Sequence, residues 1–407
     1  MNAARVPTWR LTVFAAVLLA GACTEGEPET VTPTTAEIVR VERVPGFDTE
    51  VIHLGVLVDL SGPDATEHRA LLSGAEVAWA EVNSAGGVGG QFPVELVVRD
   101  HGGDPDRALE QYRNLREDVV AFALVDGPDV VDAVLLDLAE DGLRAVPGRR
   151  LGRWWGREAL LTVGTSEEIG VLAVLEYLGT GETWCGVVDT SRAGRAVAEA
   201  LPMAASLLGL EVPVMFELGG ERTIAEVLPL VADAGCRVWL ATRVRAAGVF
   251  VDGVSEGAVV AVGGRLGGQL DLSETAARVV IAIDAPAWDF TVPSGMVDLS
   301  EALEAQAPDV VADVLVREGY TAQLGLMALL EDAVDRGDLS RASVRSGSIL
   351  YSTADFGGLA TGGDPTADAP ATMRLFEYDP ATGDALGWRF VGAMTPSQAE
   401  ELLAAIG

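Results

Sequence analysis

The tightest constraint on this chain is a repeated switch in hydrophobic period. Val51–Leu60 is a near-continuous run of apolar and β-branched residues, the pattern of a strand buried on both faces. Ser61, Gly62, Pro63 and Asp64 break that run, and Leu71, Leu72, Ala75, Ala78 and Val82 then recur at helical spacing up to a glycine-rich stop at 83–87. The same alternation predicts strands at Val94–Arg99, Val119–Val125, Cys185–Asp189, Pro213–Phe216, Cys236–Ala241 and Val259–Val262. Between them it predicts helices at Pro105–Arg116, Asp129–Asp141, Ala193–Leu208 and Thr223–Ala234. Repeated βαβ units mean parallel sheets with right-handed crossovers and helices on both faces. Two such runs, joined near 161–166, give the expected class: α/β, two doubly wound parallel-sheet lobes joined by a hinge. Ligands of open α/β sheets sit beyond the carboxyl ends of the strands, so two such edges facing each other make a cleft. After about Ser340 the pattern changes to strand-like pieces at Ser348–Tyr351, Thr372–Tyr378 and Gly387–Val391, then a short helix at Pro396–Ile406.

Charge removes several functions. The 28 basic residues are all Arg and stand against 61 acids, a formal net charge of −33, which repels phosphate backbones and excludes nucleic acid as a partner. A chain without Lys cannot carry P-loop or Schiff-base chemistry. His53, His68 and His101 lie on different segments and offer no metal-ligand spacing. No Gly-x-Ser-x-Gly elbow is present, and no His follows a candidate nucleophile beyond His101. Gly86–Gly90 and Gly263–Gly268 do not fit the dinucleotide fingerprint. The expectation is a binding protein, not an enzyme, with no cofactor and no metal.

Residues 1–22 read as an export signal: Arg5 and Arg10 precede the apolar run Leu11–Ala20, which is too short to span a bilayer. Ala20-Gly21-Ala22-Cys23 resembles a bacterial lipobox, and that resemblance implies lipidation at Cys23. Residues 23–50, rich at first in Thr, Glu and Pro, are expected to form a flexible acidic tether. Cys185 and Cys236 then remain as an even pair in an oxidising compartment, each opening a predicted strand. If those strands are neighbours a disulfide is geometrically possible; two buried free thiols are the other reading.

Leu54–Pro63, Gly74–Ala78, Glu81–Gly90 and Glu95–Asp100 follow one another at telling spacings, with Gly319–Ala322, Ala328–Val334 and Arg374–Asp379 later in the chain. Together they resemble the type I periplasmic solute-binding proteins, in particular the branched-chain amino acid (Leu/Ile/Val-binding) group of ABC importers. The resemblance implies an amino lobe of residues 51–163 plus about 286–338, and a carboxyl lobe of 164–285 plus about 339–407. It also implies hinge closure over a small amino acid-like or anionic solute, followed by docking to ABC permease subunits, at the outer face of the cytoplasmic membrane or in the periplasm. Of the family's ligand-holding positions, Ser61, Gly62 and Pro63 match. The Ser cluster is replaced by Gly127–Asp132, the Ala–Thr pair by Val146–Trp155, the Tyr after Asp189 by Ala193, and the acidic loop by Gly263–Gly268. In their place stand Arg149, Arg150, Arg192, Arg243, Arg245 and Arg265, with Asp129 and Asp189 nearby and Trp154 and Trp155 as a candidate stacking wall. Two readings stand: a guanidinium ring that attracts an anion, or ordinary helix caps and surface ion pairs worth under about 1 kcal/mol each. The four departures also fit a sensory or scaffolding lipoprotein whose cleft has degenerated.

Overall fold

The computed structural model describes residues 39–179, 183–219, 222–267, 269–284, 294–347, 354–360, 372–381, 383 and 387–406, with the backbone alone at 192, 193, 213 and 265. The export signal, Cys23, most of the tether and the strand expected at Ser348–Tyr351 lie outside the described residues.

The chain builds a first lobe as β1 (Ile52–Val58), α1 (Ala65–Ser84), β2 (Val94–Asp100), α2 (Pro105–Leu115), β3 (Ala121–Val125), α3 (Pro128–Asp141) and β4 (Ala145–Pro147). The strands form one parallel sheet in the order β2-β1-β3-β4. It then enters a second lobe with α4 (Glu167–Leu178), β5 (Thr183–Asp189), α5 (Arg192–Leu207), β6 (Glu211–Leu218), α6 (Ile224–Ala234) and β7 (Arg237–Ala241). There follow α7 (Val244–Gly253), β8 (Val259–Gly263), the short α8 (Gly264–Gly267) and β9 (Arg278–Ile283). Helices α9 (Ser294–Gln306), α10 (Val314–Asp335) and α11 (Arg341–Ser346) follow, and α9 and α10 both pack on α1. Finally β10 (Met373–Tyr378), β11 (Trp388–Met394) and α12 (Ala399–Ile406) complete the second lobe. Its seven strands run in the order β11-β10-β9-β8-β7-β5-β6, parallel from β6 to β9, with β10 antiparallel to both its neighbours.

Helix boundaries follow local chemistry. Asp104 accepts the N–H groups of Asp106 and Arg107 ahead of Pro105 at the first turn of α2, and Asp313 does the same for Leu315 and Val316 of α10. Helices α1 and α10 cross at two glycines. A Cβ at Gly74 would lie 2.0 Å from the Val316 carbonyl oxygen, and one at Gly319 would lie 2.0 Å from that of Leu71. One turn further along, the buried Gln323 accepts the indole N–H of Trp79 at 3.0 Å and donates to the Ala123 carbonyl at 3.1 Å. This bond ties both helices to β3.

Two boundaries differ from expectation. Residues 39–50 are not all tether: Val41 and Phe47 are buried in the first lobe, and the Phe47 ring meets Phe92 edge-on at 5.0 Å. The first lobe also keeps the chain beyond 338, since Leu339, Val344 and Phe356 belong to its core. Cys185 and Cys236 form a disulfide; β5 and β7 are adjacent, with Cys185 paired to Val238, so the Cα atoms stand 5.8 Å apart, within bonding range.

Candidate functional site

Each lobe has a switch point where strand order reverses, between β1 and β3 and between β5 and β7, the place where a doubly wound sheet presents its ligand crevice. At the first, Asp59 ends the strand and its carboxylate accepts the N–H groups of Ser61, Gly62 and Asp64. The Asp59 N–H itself goes to Nδ1 of His68, and the Leu60 N–H to Asp100 at 2.9 Å. Residue 63 is proline, so every N–H from 59 to 64 is already engaged. The loop expected to hold a ligand therefore has no amide left for one, and Ser61, Gly62 and Pro63 do not line the cavity described below.

Behind that loop lies a buried polar cluster. His68 accepts at Nδ1, so its proton is on Nε2, which faces Asp126 at 3.0 Å with both side chains 1% exposed. His101 accepts from the Gly103 N–H at Nδ1 and donates from Nε2 to the Asp126 carbonyl at 3.1 Å. Burial, then the neighbouring His68, lowers its pKa to about 4, which keeps the ring neutral.

The second switch point is similar in outline. Asp189 ends β5 and accepts the N–H groups of Ser191 and Arg243, each at 2.9 Å. Its carboxylate is thus a backbone clamp. The Arg243 guanidinium, half exposed, lies 3.7 Å from the same carboxylate. Arg243 and Arg245, expected on a loop, stand instead at the cap and first turn of α7, and Arg245 is exposed.

Between the lobes, at the carboxyl ends of β7, β8 and β9, is a cavity of about 110 Å³. Its second-lobe wall is largely apolar: Trp239, Leu240, Ala241, Val244, Leu266 and Ile283. Its first-lobe rim is charged. Arg149, just after β4, pairs with Glu67 on α1 at 3.0 Å and with Glu167 on α4 at 3.4 Å. Arg150 pairs with Asp284, at the end of β9, and with Glu318 on α10 at 3.1 Å. Both arginines thereby connect the two lobes. Asp284 also accepts the N–H of Thr165 at 2.7 Å. A smaller cavity of about 30 Å³ adjoins this one and shares Arg150, Arg317 and Glu318 with it.

Of the residues expected at the site, Arg149 and Arg150 line the cavity; Asp129, Asp189 and Arg243 do not, and the side chains of Arg192 and Arg265 lie outside what is described. Asp129 instead meets Arg195 of α5 at 3.4 Å, an exposed pair across the rim between the lobes. The anion-attracting ring is not assembled by the described side chains, because Arg149, Arg150 and Arg243 each lie against carboxylates of the protein itself. Trp154 is no stacking wall. It is buried in the first lobe's core, and its indole N–H donates to Asp132 at 2.7 Å. The residues that sequence reasoning missed are Glu67, Thr165, Glu167, Trp239, Asp284 and Glu318; the acids carried no spacing signal among 61.

A family model described as periplasmic binding protein matches residues 51–384. No curated protein matches the sequence. Among solved structures, the fold resembles a fatty acid ABC transporter substrate-binding protein from Thermomonospora curvata, with a TM-score of 0.74 and 22% identity over 88% of this chain and 96% of that one. It also resembles a branched chain amino acid ABC transporter from Thermus thermophilus with bound valine, with a TM-score of 0.73 and 17% identity over 87% and 99% of the two chains. A substrate-binding periplasmic protein from Ralstonia solanacearum has a TM-score of 0.68 and 20% identity over 83% of this chain and 99% of that one.

Proposed function

The chain belongs to the periplasmic binding protein family, and from that premise we propose that it is the solute-capturing component of an ABC importer, exported and held to the membrane by lipid at Cys23. It binds one small solute between its lobes, and binding shifts an open–closed equilibrium. The closed form then docks on permease subunits. The observation that carries this reading is the cavity itself, walled by one lobe and rimmed by the other at the carboxyl ends of the second-lobe strands. Arg149 and Arg150 support it further: each has one carboxylate partner on each lobe, so opening the cleft must break or rearrange their ion pairs.

The apolar second-lobe wall favours a solute with an apolar body. The Thermomonospora protein is described as a fatty acid transporter component and the Thermus protein holds valine, both solutes of that kind. Support for the anchor is the sequence of residues 1–23 alone: two arginines, a short apolar run and Ala20-Gly21-Ala22-Cys23.

The purified protein, incubated with a cell extract and washed, is expected to retain one small molecule identifiable by mass spectrometry. Its radius of gyration in solution scattering should shrink on binding. A protein that retains nothing and keeps one radius of gyration in every extract fraction is not a solute receptor. Separately, Cys23→Ser should move the protein from the membrane fraction to the soluble one.

A further inference from the structure

Resting on the binding function above and narrowing its ligand, we propose that the cavity selects an uncharged solute: one that presents a carbonyl oxygen on a short apolar body and carries no ammonium group.

The charged groups of the rim are committed to one another. Glu67 and Glu167 hold Arg149, while Asp284 and Glu318 hold Arg150. An ammonium group at any of these carboxylates meets an acceptor already partly neutralised by a guanidinium, and that guanidinium is a like-charged neighbour. An anion at Arg149 or Arg150 meets a guanidinium already partly neutralised and is repelled by the carboxylates paired with it. Among the described lining side chains, Glu67, Glu167, Asp284 and Glu318 outnumber Arg149, Arg150 and Arg317 by one, so these side chains together do not favour a negative guest.

The unmatched groups are of another kind. Trp239 is 1% exposed, Thr165 2% and Arg149 8%. Among the described residues of the cavity lining, the buried side-chain polar atoms that lack a hydrogen-bond partner are Nε1 of Trp239, Oγ1 of Thr165 and Nε of Arg149. All three can donate, and the indole nitrogen can do nothing else. Native interiors rarely leave several buried donors unmatched, and here the three residues that carry them line one small cavity whose second-lobe wall is largely apolar. A neutral carbonyl oxygen supplies lone pairs without asking any ion pair to open. The apolar remainder of such a solute lies against Leu240, Val244 and Leu266.

Isovaleramide, isovalerate, isopentylamine and leucine share an isobutyl body and differ in head: neutral carbonyl, anion, cation and zwitterion. Calorimetric titration of the protein with these four probes should rank isovaleramide first, by about tenfold or more. Thr165→Val, which exchanges the hydroxyl for a methyl of the same shape, should weaken isovaleramide binding by about tenfold while leaving the unliganded melting temperature unchanged or raised, since that hydroxyl has no partner to lose. Trp239→Phe should weaken binding in the same direction. Leucine or isovalerate binding as well as the amide, none of the four binding, or an affinity indifferent to Thr165→Val would overturn the proposal. Retention of a charged solute from cell extract by the same protein would overturn it too, while leaving the binding function intact.

Discussion

The two lobes are built on one plan and put it to opposite use. In each, the central strand before the switch point ends in an aspartate, Asp59 or Asp189, whose carboxylate clamps the N–H groups of the following loop. In the first lobe a polar cluster lies behind that clamp: His68, Asp126 and His101 are buried together. That leaves a rigid platform with no unengaged loop amide for a guest. In the second lobe the cavity wall at the corresponding edge is largely apolar, and the buried donor of Trp239 remains unmatched there. The second lobe also carries the covalent tie, Cys185–Cys236. A doubly wound sheet thus fixes where a site can be without fixing which of two such sheets supplies it.

The contrast can be broken most forcefully at the disulfide. Its half-cystines are 51 residues apart, so removing it with Cys185→Ser and Cys236→Ser should cost about 4 kcal/mol through the unfolded chain. Urea unfolding should then show an early transition belonging to the second lobe; an unchanged midpoint would deny the tie its role. The first lobe's equivalent is the helix crossing. Gly319→Ala should cost about 3 kcal/mol, because its Cβ meets the Leu71 backbone. Gly248→Ala on α7, where the added methyl meets nothing within 4 Å, should leave stability unchanged or raise it slightly in the same assay.

Acidity should divide the lobes by sign. His101, held near 4 by burial against an ordinary value of 6.5, contributes stability that is present above pH 6.5 and lost as pH falls toward 4. Glu168 of α4 is 4% exposed and accepts the Gly152 N–H at 3.0 Å. Burial raises its pKa from 4.5 to about 7, so its contribution is present below pH 4.5 and lost as pH rises through 7. Each effect is about 3 kcal/mol. Melting temperatures between pH 4 and 8 should lose their acid-side fall in His101→Gln and their alkaline-side fall in Glu168→Gln. Smallest of all, Asp129→Asn removes a rim pair whose side chains are 54% and 58% exposed, and should change stability by under about 0.5 kcal/mol.

Much of the fold was legible because periodicity is local. The expected strand Val51–Leu60 contains β1, and the expected helix Asp129–Asp141 is α3 within one residue. Residues 243–253 were harder: Arg243 and Arg245 looked like loop residues because α7 follows β7 with only a two-residue connection. Helix α4 was also hidden, since Ile169–Leu175 is buried all round and shows no polar stripe. At the site, Arg149 and Arg150 stood out as a basic pair in an acidic chain. Their partners did not, because Glu67, Glu167, Asp284 and Glu318 come from four separate places in the sequence.

Sequence alone determined the α/β class, the two runs of strands and helices, and the exclusion of P-loop and Schiff-base chemistry, because each depends on residue type and on spacing within one element. It also brought the two cysteines to strand starts, yet left open whether they bond. Tertiary structure decided that β5 and β7 are neighbours, which closes the disulfide, and that Asp59 and Asp189 bind the chain's own amides. It decided as well which donors face no acceptor. Whether a buried polar atom is matched depends on every group around it, and those neighbours converge from stretches that no local pattern connects.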